Sequence, residues 1–224
     1  MSHKNVEKQF TGIRVGMTSP ATKLQVNEWT KRLAMDYKTI QSHFVALTTN
    51  LSIQSFLKEL LDKHLLPAYT VESLLHQPSS TDQNIEFFLN IRRYGNEVLK
   101  YFSEWLKLNN RELFDHIISQ NDSKIALKTA KLTKEQFRKK RMLFIDCLNT
   151  RIVACAMYEK GHLSNHQLEK IVGFASRYST NLEKVRELLY VLDKQSGHPS
   201  FFANFENVLA KHQPSVYDEM LKEQ

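Results

Sequence analysis

Apolar residues spaced three and four positions apart recur along almost the whole chain, and this spacing constrains the fold more than any other feature. The run STNLEKVRELLYVL at 179–192 is one example, and the related run STDQNIEFFLNI begins at 80. Glycine and proline, which tight turns need, number only 6 and 5 among 224 residues. The sequence therefore predicts an all-α protein whose amphipathic helices are joined by short connections.

The predicted helices occur twice in the same order. Ser52 and Thr70 are the predicted N-caps of the second and third helices in the first copy. Thr133, followed by Gln136 three residues later, predicts a capping box at the start of the second copy, and Ser164 is a predicted cap within it. The spacing thus predicts two copies of one small helical unit, with Thr70 matching Ser164 at a shift of 94 residues.

Apolar positions in the last three helices of each copy support this repetition. Four positions match at a shift of 100 and eight at a shift of 103, which makes chance alignment of unrelated amphipathic helices the weaker explanation. The first set pairs Ile85, Phe88, Leu89 and Ile91 with Val185, Leu188, Leu189 and Val191. The second set pairs Leu99, Phe102, Trp105, Leu106, Leu113, Phe114, Ile117 and Ile118 with Phe202, Phe205, Val208, Leu209, Val216, Tyr217, Met220 and Leu221.

These boundaries divide the chain into four parts. Residues 1–26 have no helical periodicity and are predicted to form a flexible N-terminal arm. Residues 27–119 form the first predicted bundle, residues 120–132 a basic linker, and residues 133–224 the second bundle.

The formal net charge of +7 is concentrated around the linker. Eight basic residues lie between Asp122 and Arg141, and only Asp122 and Glu135 oppose them. Such a cluster attracts nucleic acid, an anionic membrane surface or an acidic protein, and a solvated linker explains it equally well. The basic residues are Lys124, Lys128, Lys131, Lys134, Arg138, Lys139, Lys140 and Arg141.

Cysteine use and hydropathy indicate the compartment. Cys147 and Cys155 lie about 12 Å apart if they share one helix, which is too far for a disulfide, so a reducing cytoplasmic location is expected. No apolar run approaches the roughly 18 residues that a membrane span needs, so membrane insertion is not expected. The first twenty residues also have no continuous apolar segment like that of a secretory signal.

Catalytic and metal-binding patterns are weak. Cys147, Cys155, His162 and His166 have the spacing C-x7-C-x6-H-x3-H, which lacks the close cysteine pair of common zinc sites. No phosphate-binding loop or dinucleotide fingerprint occurs in the chain. We therefore expect a protein without catalytic residues, metal or cofactor.

Two long segments carry a family resemblance. LLDKHLLPAYTVESLLHQPSSTDQNIEFFLNIRRYGNEVLKYFSEWLKLNNRELFDHI resembles a caspase recruitment domain (CARD), a branch of the death-fold superfamily. MYEKGHLSNHQLEKIVGFASRYSTNLEKVRELLYVLDKQSGHPSFFANFENVLAKHQPSVYDEML resembles it more closely. The shared features are the turn KGHLS before the third helix, a Ser-Thr-capped fourth helix, a Phe-rich fifth helix and a closing LF or VY pair. Pro67 departs from the Gly-like turn, and the first helix of the second copy is weak.

The resemblance implies two tandem six-helix antiparallel bundles with Greek-key topology, which bind CARD-containing proteins through oppositely charged faces. A basic face on helices one and four would meet an acidic face on helices two and three, whereas the alternative explanation of each single charge is an ordinary solvated helix surface. The basic candidates are Lys31, Arg32, Lys38, Arg92, Arg93, Arg138, Lys139, Arg141, Lys184 and Arg186. The acidic candidates are Glu59, Asp62, Glu72, Glu159 and Glu169.

The expected function is that of a non-catalytic signalling adaptor or receptor region in apoptosis or innate immunity of the antiviral RNA-sensing type. It would act by homotypic binding, with homo-oligomers or filaments as its product. Two alternatives remain open. One is a helical nucleic-acid-binding module that uses residues 124–141, with weak nucleic-acid contact through the linker. The other is a viral or parasite mimic that blocks host assemblies. Reversing Arg92 and Arg93 to Glu is expected to abolish partner binding.

Overall fold

The computed structural model describes residues 35–120, 130–173 and 180–222, and only the backbone of Gln120. Within these residues the chain is helical and contains no strand, which confirms the all-α prediction. None of the described helices combines the length and apolar character that crossing a membrane would require.

The described helices fall into two series. The first helix series consists of α1 (Tyr37–Ser42), α2 (Phe44–Asn50), α3 (Gln54–Asp62), α4 (Ala68–Leu75), α5 (Ser80–Tyr94), α6 (Asn96–Asn109) and α7 (Arg111–Gln120). The second helix series consists of α8 (Lys134–Lys139), α9 (Arg141–Cys147), α10 (Thr150–Glu159), α11 (Asn165–Val172), α12 (Asn181–Gln195), α13 (Phe201–His212) and α14 (Pro214–Leu221).

Helix ends correspond between the two series with a shift of 97 through the first four helices, except that the starts of α3 and α10 are 96 apart. The Asp36 side chain caps α1 and the Thr133 side chain caps α8, a shift of 97 (133 − 36). The break between α1 and α2 at His43 recurs at Lys140 with the same shift. After α3 and α10 the chain turns through His64 (φ 55°) and Gly161 (φ 78°), again 97 apart. A position of left-handed backbone is thus kept in both turns.

Two predicted helix starts were wrong. The N-cap of α3 is Ile53 rather than Ser52, and Thr70 lies inside α4, which begins at Ala68 after Pro67. The N-caps of α4 and α11, Pro67 and Ser164, are therefore related by a shift of 97 rather than 94. The residue of the first series that corresponds to the turn glycine Gly161 is His64, not Pro67. The capping box at Thr133 and the N-cap at Ser164 are confirmed, and Ser164 also forms a capping box with Gln167. The sequence signal failed where proline and an apolar residue precede the helix instead of a capping side chain.

The shift increases along the rest of each series. Ser79 caps α5 and Thr180 caps α12, so the shift there is 101 (180 − 79) rather than 100. Every buried residue of α12 then matches a buried residue of α5, including Asn84 with Val185. The predicted shift of 103 is confirmed by Asn110 and Gln213, which end α6 and α13 with similar backbone angles.

Each series has its own aromatic core. In the first series Phe56, Phe87 and Phe102 are at most 2% exposed, and Phe56 contacts the other two edge to face. In the second series Phe137 contacts both Phe144 and Phe205. Burying a side chain of this size stabilises the fold by roughly 2–3 kcal/mol. These phenylalanines therefore hold the helices together and are not available as stacking platforms on the surface.

A buried amide fastens α5 to the end of α2. The Asn84 side chain is fully buried, and its Nδ2 donates to the carbonyl oxygens of Thr48 (3.0 Å) and Leu51 (2.9 Å). The last carbonyls of a helix have no partner within that helix, so a side chain must satisfy them when they are buried.

Candidate functional site: the junction between the two helix series

The two helix series pack directly against each other. Helix α10 lies against α1 and α2, and helix α11 lies against α5. We call this contact the junction. It joins the helices that would be one and four of the first predicted bundle to those that would be two and three of the second.

The centre of the junction is apolar and aromatic. The rings of Phe44 on α2 and Tyr158 on α10 meet edge to face, with 5.0 Å between their centroids. Phe44 is fully buried and Tyr158 is 7% exposed. Burial raises the pKa of Tyr158, so its hydroxyl keeps its proton at neutral pH. A buried aromatic contact surrounded by polar groups is the usual arrangement of a protein–protein interface.

Hydrogen bonds join the end of α10 to the first two helices. The Glu159 carboxylate accepts from the backbone N–H of Val45 (3.0 Å), and the Gln41 side chain donates to the carbonyl of Tyr158 (3.0 Å). Val45 lies in the first turn of α2, where N–H groups have no partner within the helix and carry partial positive charge. Burial raises the pKa of Glu159, and the Val45 N–H opposes this effect.

Helix α11 is fixed to α5 by side chains at its start and middle. Asn165 Nδ2 donates to the carbonyl of Leu89 (3.1 Å), while its Oδ1 accepts from the Tyr158 hydroxyl (3.2 Å). The Arg93 guanidinium lies 3.5 Å from the Glu169 carboxylate. Asn165 therefore connects α10 and α11 to the backbone of α5.

An ion pair closes the other edge of the junction. Arg151 on α10 lies 2.5 Å from the carboxylate of Asp82 on α5, and the side chains are 44% and 17% exposed. Neither residue was a predicted site residue, and neither was Gln41, Asn165 or Tyr158. Three of these five side chains, Gln41, Asn165 and Tyr158, are uncharged, so a search for charged faces could not identify them.

The structure brings three predicted residues of opposite charge to the junction: Arg93, Glu159 and Glu169. Arg92 is exposed, and its guanidinium lies over the Tyr37 ring at 5.5 Å. Lys38 is exposed on α1, whereas Lys31 and Arg32 lie outside the described residues. The predicted basic face of the first series is thus partly covered by the second series.

The acidic candidates of the first series have different surroundings. Asp62 and Glu72 are exposed on α3 and α4. Glu59 accepts from the Tyr101 hydroxyl and from Trp105 Nε1 (3.2 Å). The bond to Glu59 raises the pKa of Tyr101 to about 12. Both oxygens of Glu59 therefore accept hydrogen bonds within the first series.

The basic candidates of the second series lie on α8, α9 and α12. Arg138 makes two hydrogen bonds to Asp193, at 3.0 and 3.1 Å, and this contact lowers the pKa of Asp193. Lys139 pairs with Glu135 at 2.9 Å. The three remaining candidates are Arg141 and Lys184, which are half-buried, and Arg186, which is exposed.

The repeat shifts locate two further surfaces that correspond to the two sides of the junction. On the first series, a shift of 97 relates Asp62 to Glu159, Tyr69 to His166 and Glu72 to Glu169. We call Asp62, Tyr69 and Glu72 the outer acidic face; Tyr69 is 74% exposed.

On the second series the corresponding surface is basic. A shift of 97 relates Arg138, Arg141 and Met142 to Gln41, Phe44 and Val45, and a shift of 101 relates Tyr190 and Lys194 to Leu89 and Arg93. These five residues form the outer basic face. Met142 is 64% exposed and Tyr190 is 50% exposed, and Lys194 Nζ lies 4.1 Å from the Tyr190 ring centroid. Exposed apolar side chains therefore occupy positions that are covered at the junction.

The possible nucleophiles and metal ligands do not form a second site in the described part of the chain. Burial raises the pKa of Cys155 to about 12, which keeps the thiol protonated and unreactive. His162 Nε2 lies 2.8 Å from Asn204 Nδ2, within the second series. No group of three or more His, Cys, Asp or Glu side chains among the described residues could hold a metal ion.

Comparisons with known proteins gave no relative: no family model, no curated protein and no solved structure matches the chain.

Proposed function

We propose that this chain is a non-catalytic assembly module, made of two tandem CARD-like six-helix bundles, that binds other CARD proteins or further copies of itself. The observation that carries the proposal is the junction, where helices α1, α2 and α5 of one series dock on α10 and α11 of the other. The same pairing of helix faces, repeated between chains, would use the outer basic face of one chain and the outer acidic face of the next.

The junction contacts specify which atoms would meet between chains. The Val45 N–H that donates to Glu159 corresponds to the Met142 N–H, which lies in the first turn of α9 and would donate to Asp62 of the next chain. The Arg93–Glu169 pair corresponds to Lys194 and Glu72. Met142 and Tyr190 would be covered by the incoming α3 and α4, which would remove exposed apolar surface from water.

Such a contact joins two different faces and therefore does not close on itself. Each added chain leaves one outer basic face and one outer acidic face free, so the product is a chain of subunits that grows at both ends. We propose this mode of assembly for a cytoplasmic adaptor or receptor region in apoptosis or innate immune signalling. Opposite charges would speed encounter and fix the register of docking, whereas the apolar contacts would supply most of the affinity.

Light scattering of the purified chain over a range of protein and salt concentrations, followed by negative-stain microscopy, tests the proposal. We expect mass to increase with protein concentration, to decrease with added salt, and to correspond to filaments. A monomer at every concentration, with no binding to any CARD protein, would contradict it. Steeply salt-dependent binding of duplex nucleic acid by that monomer would instead favour the nucleic-acid alternative.

A further inference from the structure

A lysine-rimmed cavity lies where the beginning of the second series meets its last helix. Its volume is about 510 Å³, within the range of small-molecule sites. It belongs to neither the junction nor the outer acidic face. Four lysines from three segments of the chain line it, namely Lys131, Lys139, Lys140 and Lys222.

The charged side chains that line the cavity have one sign. No Asp or Glu of the described residues lines it. Lys139 pairs with Glu135, and Lys222 pairs with Glu219. These contacts raise the pKa values of both lysines and keep their ammonium groups charged. Lys131 and Lys140 have no carboxylate within 4.0 Å among the described residues.

One of these ammonium groups is held in position. Lys140 Nζ donates to the backbone carbonyl of Lys222 at 2.5 Å, at the end of α14. Lys140 is also half-buried, so its side chain has less freedom than a fully exposed lysine. A lysine fixed in this way loses less entropy when it binds an anion.

The wall between the lysines is partly apolar. Leu132 and Met220, which are 6% and 3% exposed, line it from the core of the second series, and Leu221, which is 37% exposed, offers more apolar surface to a ligand. A ligand that matches this lining has an apolar body and several negative charges. A simple inorganic ion would leave the apolar wall without a partner.

We propose that this cavity binds a small organic polyphosphate, with its phosphates on the lysine ammonium groups and its organic body against Leu221. Phosphate is favoured over carboxylate because each group carries more charge and more acceptor oxygens, and lysine is a common phosphate ligand. The phosphates belong either to a free nucleotide-like molecule or to the headgroup of a lipid. This site is independent of the proposed assembly function.

Isothermal titration calorimetry with ATP tests the free source, and flotation with phosphatidylcholine vesicles, with and without phosphatidylinositol bisphosphate, tests the lipid source. We expect the double variant Lys131→Gln/Lys140→Gln to weaken binding by about tenfold or more, since two charge-assisted contacts are lost. The matched control Lys58→Gln/Lys107→Gln removes the same charge from exposed positions on α3 and α6 and should bind like the parent chain.

Binding that is weakened in the cavity variant but not in the control variant supports the site. The probe whose binding is weakened, ATP or the charged vesicles, identifies the source of the phosphates. Lys131→Gln alone, at an exposed position, repeats the test in a chain whose Lys140–Lys222 contact is intact. If neither probe binds the parent chain, or if the control variant weakens binding as much as the cavity variant, the proposal is wrong. Binding of duplex nucleic acid through these lysines without binding of ATP or the charged vesicles would also overturn it.

Discussion

A charge exchange between the two outer faces gives the sharpest test of the assembly proposal. The junction pair Arg93–Glu169 predicts that Lys194 of one chain meets Glu72 of the next. Either Glu72→Lys or Lys194→Glu should therefore place like charges opposite each other and weaken assembly. The double variant Glu72→Lys/Lys194→Glu should restore it, because each contact again joins opposite charges.

The expected magnitude follows from the junction pair. Arg93 and Glu169 are 3.5 Å apart, with side chains 66% and 23% exposed, so solvent screens most of their attraction. A pair of this kind contributes at most about 1 kcal/mol. Reversing one charge replaces attraction by repulsion, a change of about 2 kcal/mol, or roughly 30-fold in the dissociation constant of each chain–chain contact. The effect should shrink as salt is added.

Sedimentation velocity over a concentration series measures this change. An equimolar mixture of the two single variants should assemble as well as the double variant, because each reversed charge then faces its opposite. Glu104→Lys and Lys107→Glu, at exposed positions on α6, are matched controls and should leave assembly unchanged. The head-to-tail pairing is refuted if both single variants assemble like the parent chain, or if the double variant assembles less well than either.

Three further predictions concern stability within each series. Asn84→Val introduces the residue of the second series and should lower the free energy of unfolding by about 2–3 kcal/mol, because two buried carbonyls lose their donor. The control Asn90→Ala on the same helix should lower it by less than about 1 kcal/mol. Equal losses of the two variants in urea denaturation would contradict the role of Asn84. Burial, and then the neighbouring His198, lower the pKa of His162 to about 4. The pKa of His162 in the unfolded chain is 6.5, so its contribution to the free energy of unfolding is complete above that pH. This contribution, about 3 kcal/mol, is lost as the pH falls from about 6.5 to about 4. Denaturation at several pH values should show this slope in the parent chain and a flatter one in His162→Leu, which copies Leu65; an unchanged slope would exclude His162 as its source. His64→Gly removes a side chain from left-handed backbone and should raise stability by about 0.5–1 kcal/mol, whereas a decrease in melting temperature would show that the ring makes compensating contacts.

The sequence allowed the helices to be predicted because their signals are local. Apolar spacing identified the buried faces of α5, α6 and α13, and the predicted capping box at Thr133 and N-cap at Ser164 marked two helix starts correctly. Prediction failed at α3 and α4, where Ile53 and Pro67 precede the helix without a capping side chain. Apolar spacing also continues from Ile40 to Phe44 across the break at His43, so the sequence carries no local signal of that break.

The candidate site was predictable only in part. Arg93, Glu159 and Glu169 were identified because charge is visible in a sequence. Asn165 and Tyr158 were not, since an amide and a phenol become interface residues only when a particular carbonyl or ring lies opposite them.

The sequence by itself determined the helical class, the repeated helix order and the identity of most core residues, because these depend on spacing and composition within each segment. Only the tertiary structure decided which charges are used inside the chain and which remain outside. Glu169 and Glu72 occupy corresponding positions on similar helices, yet Glu169 meets Arg93 while Glu72 is exposed. That difference arises from the packing of α11 on α5, a contact between residues about 76 positions apart that no local pattern encodes.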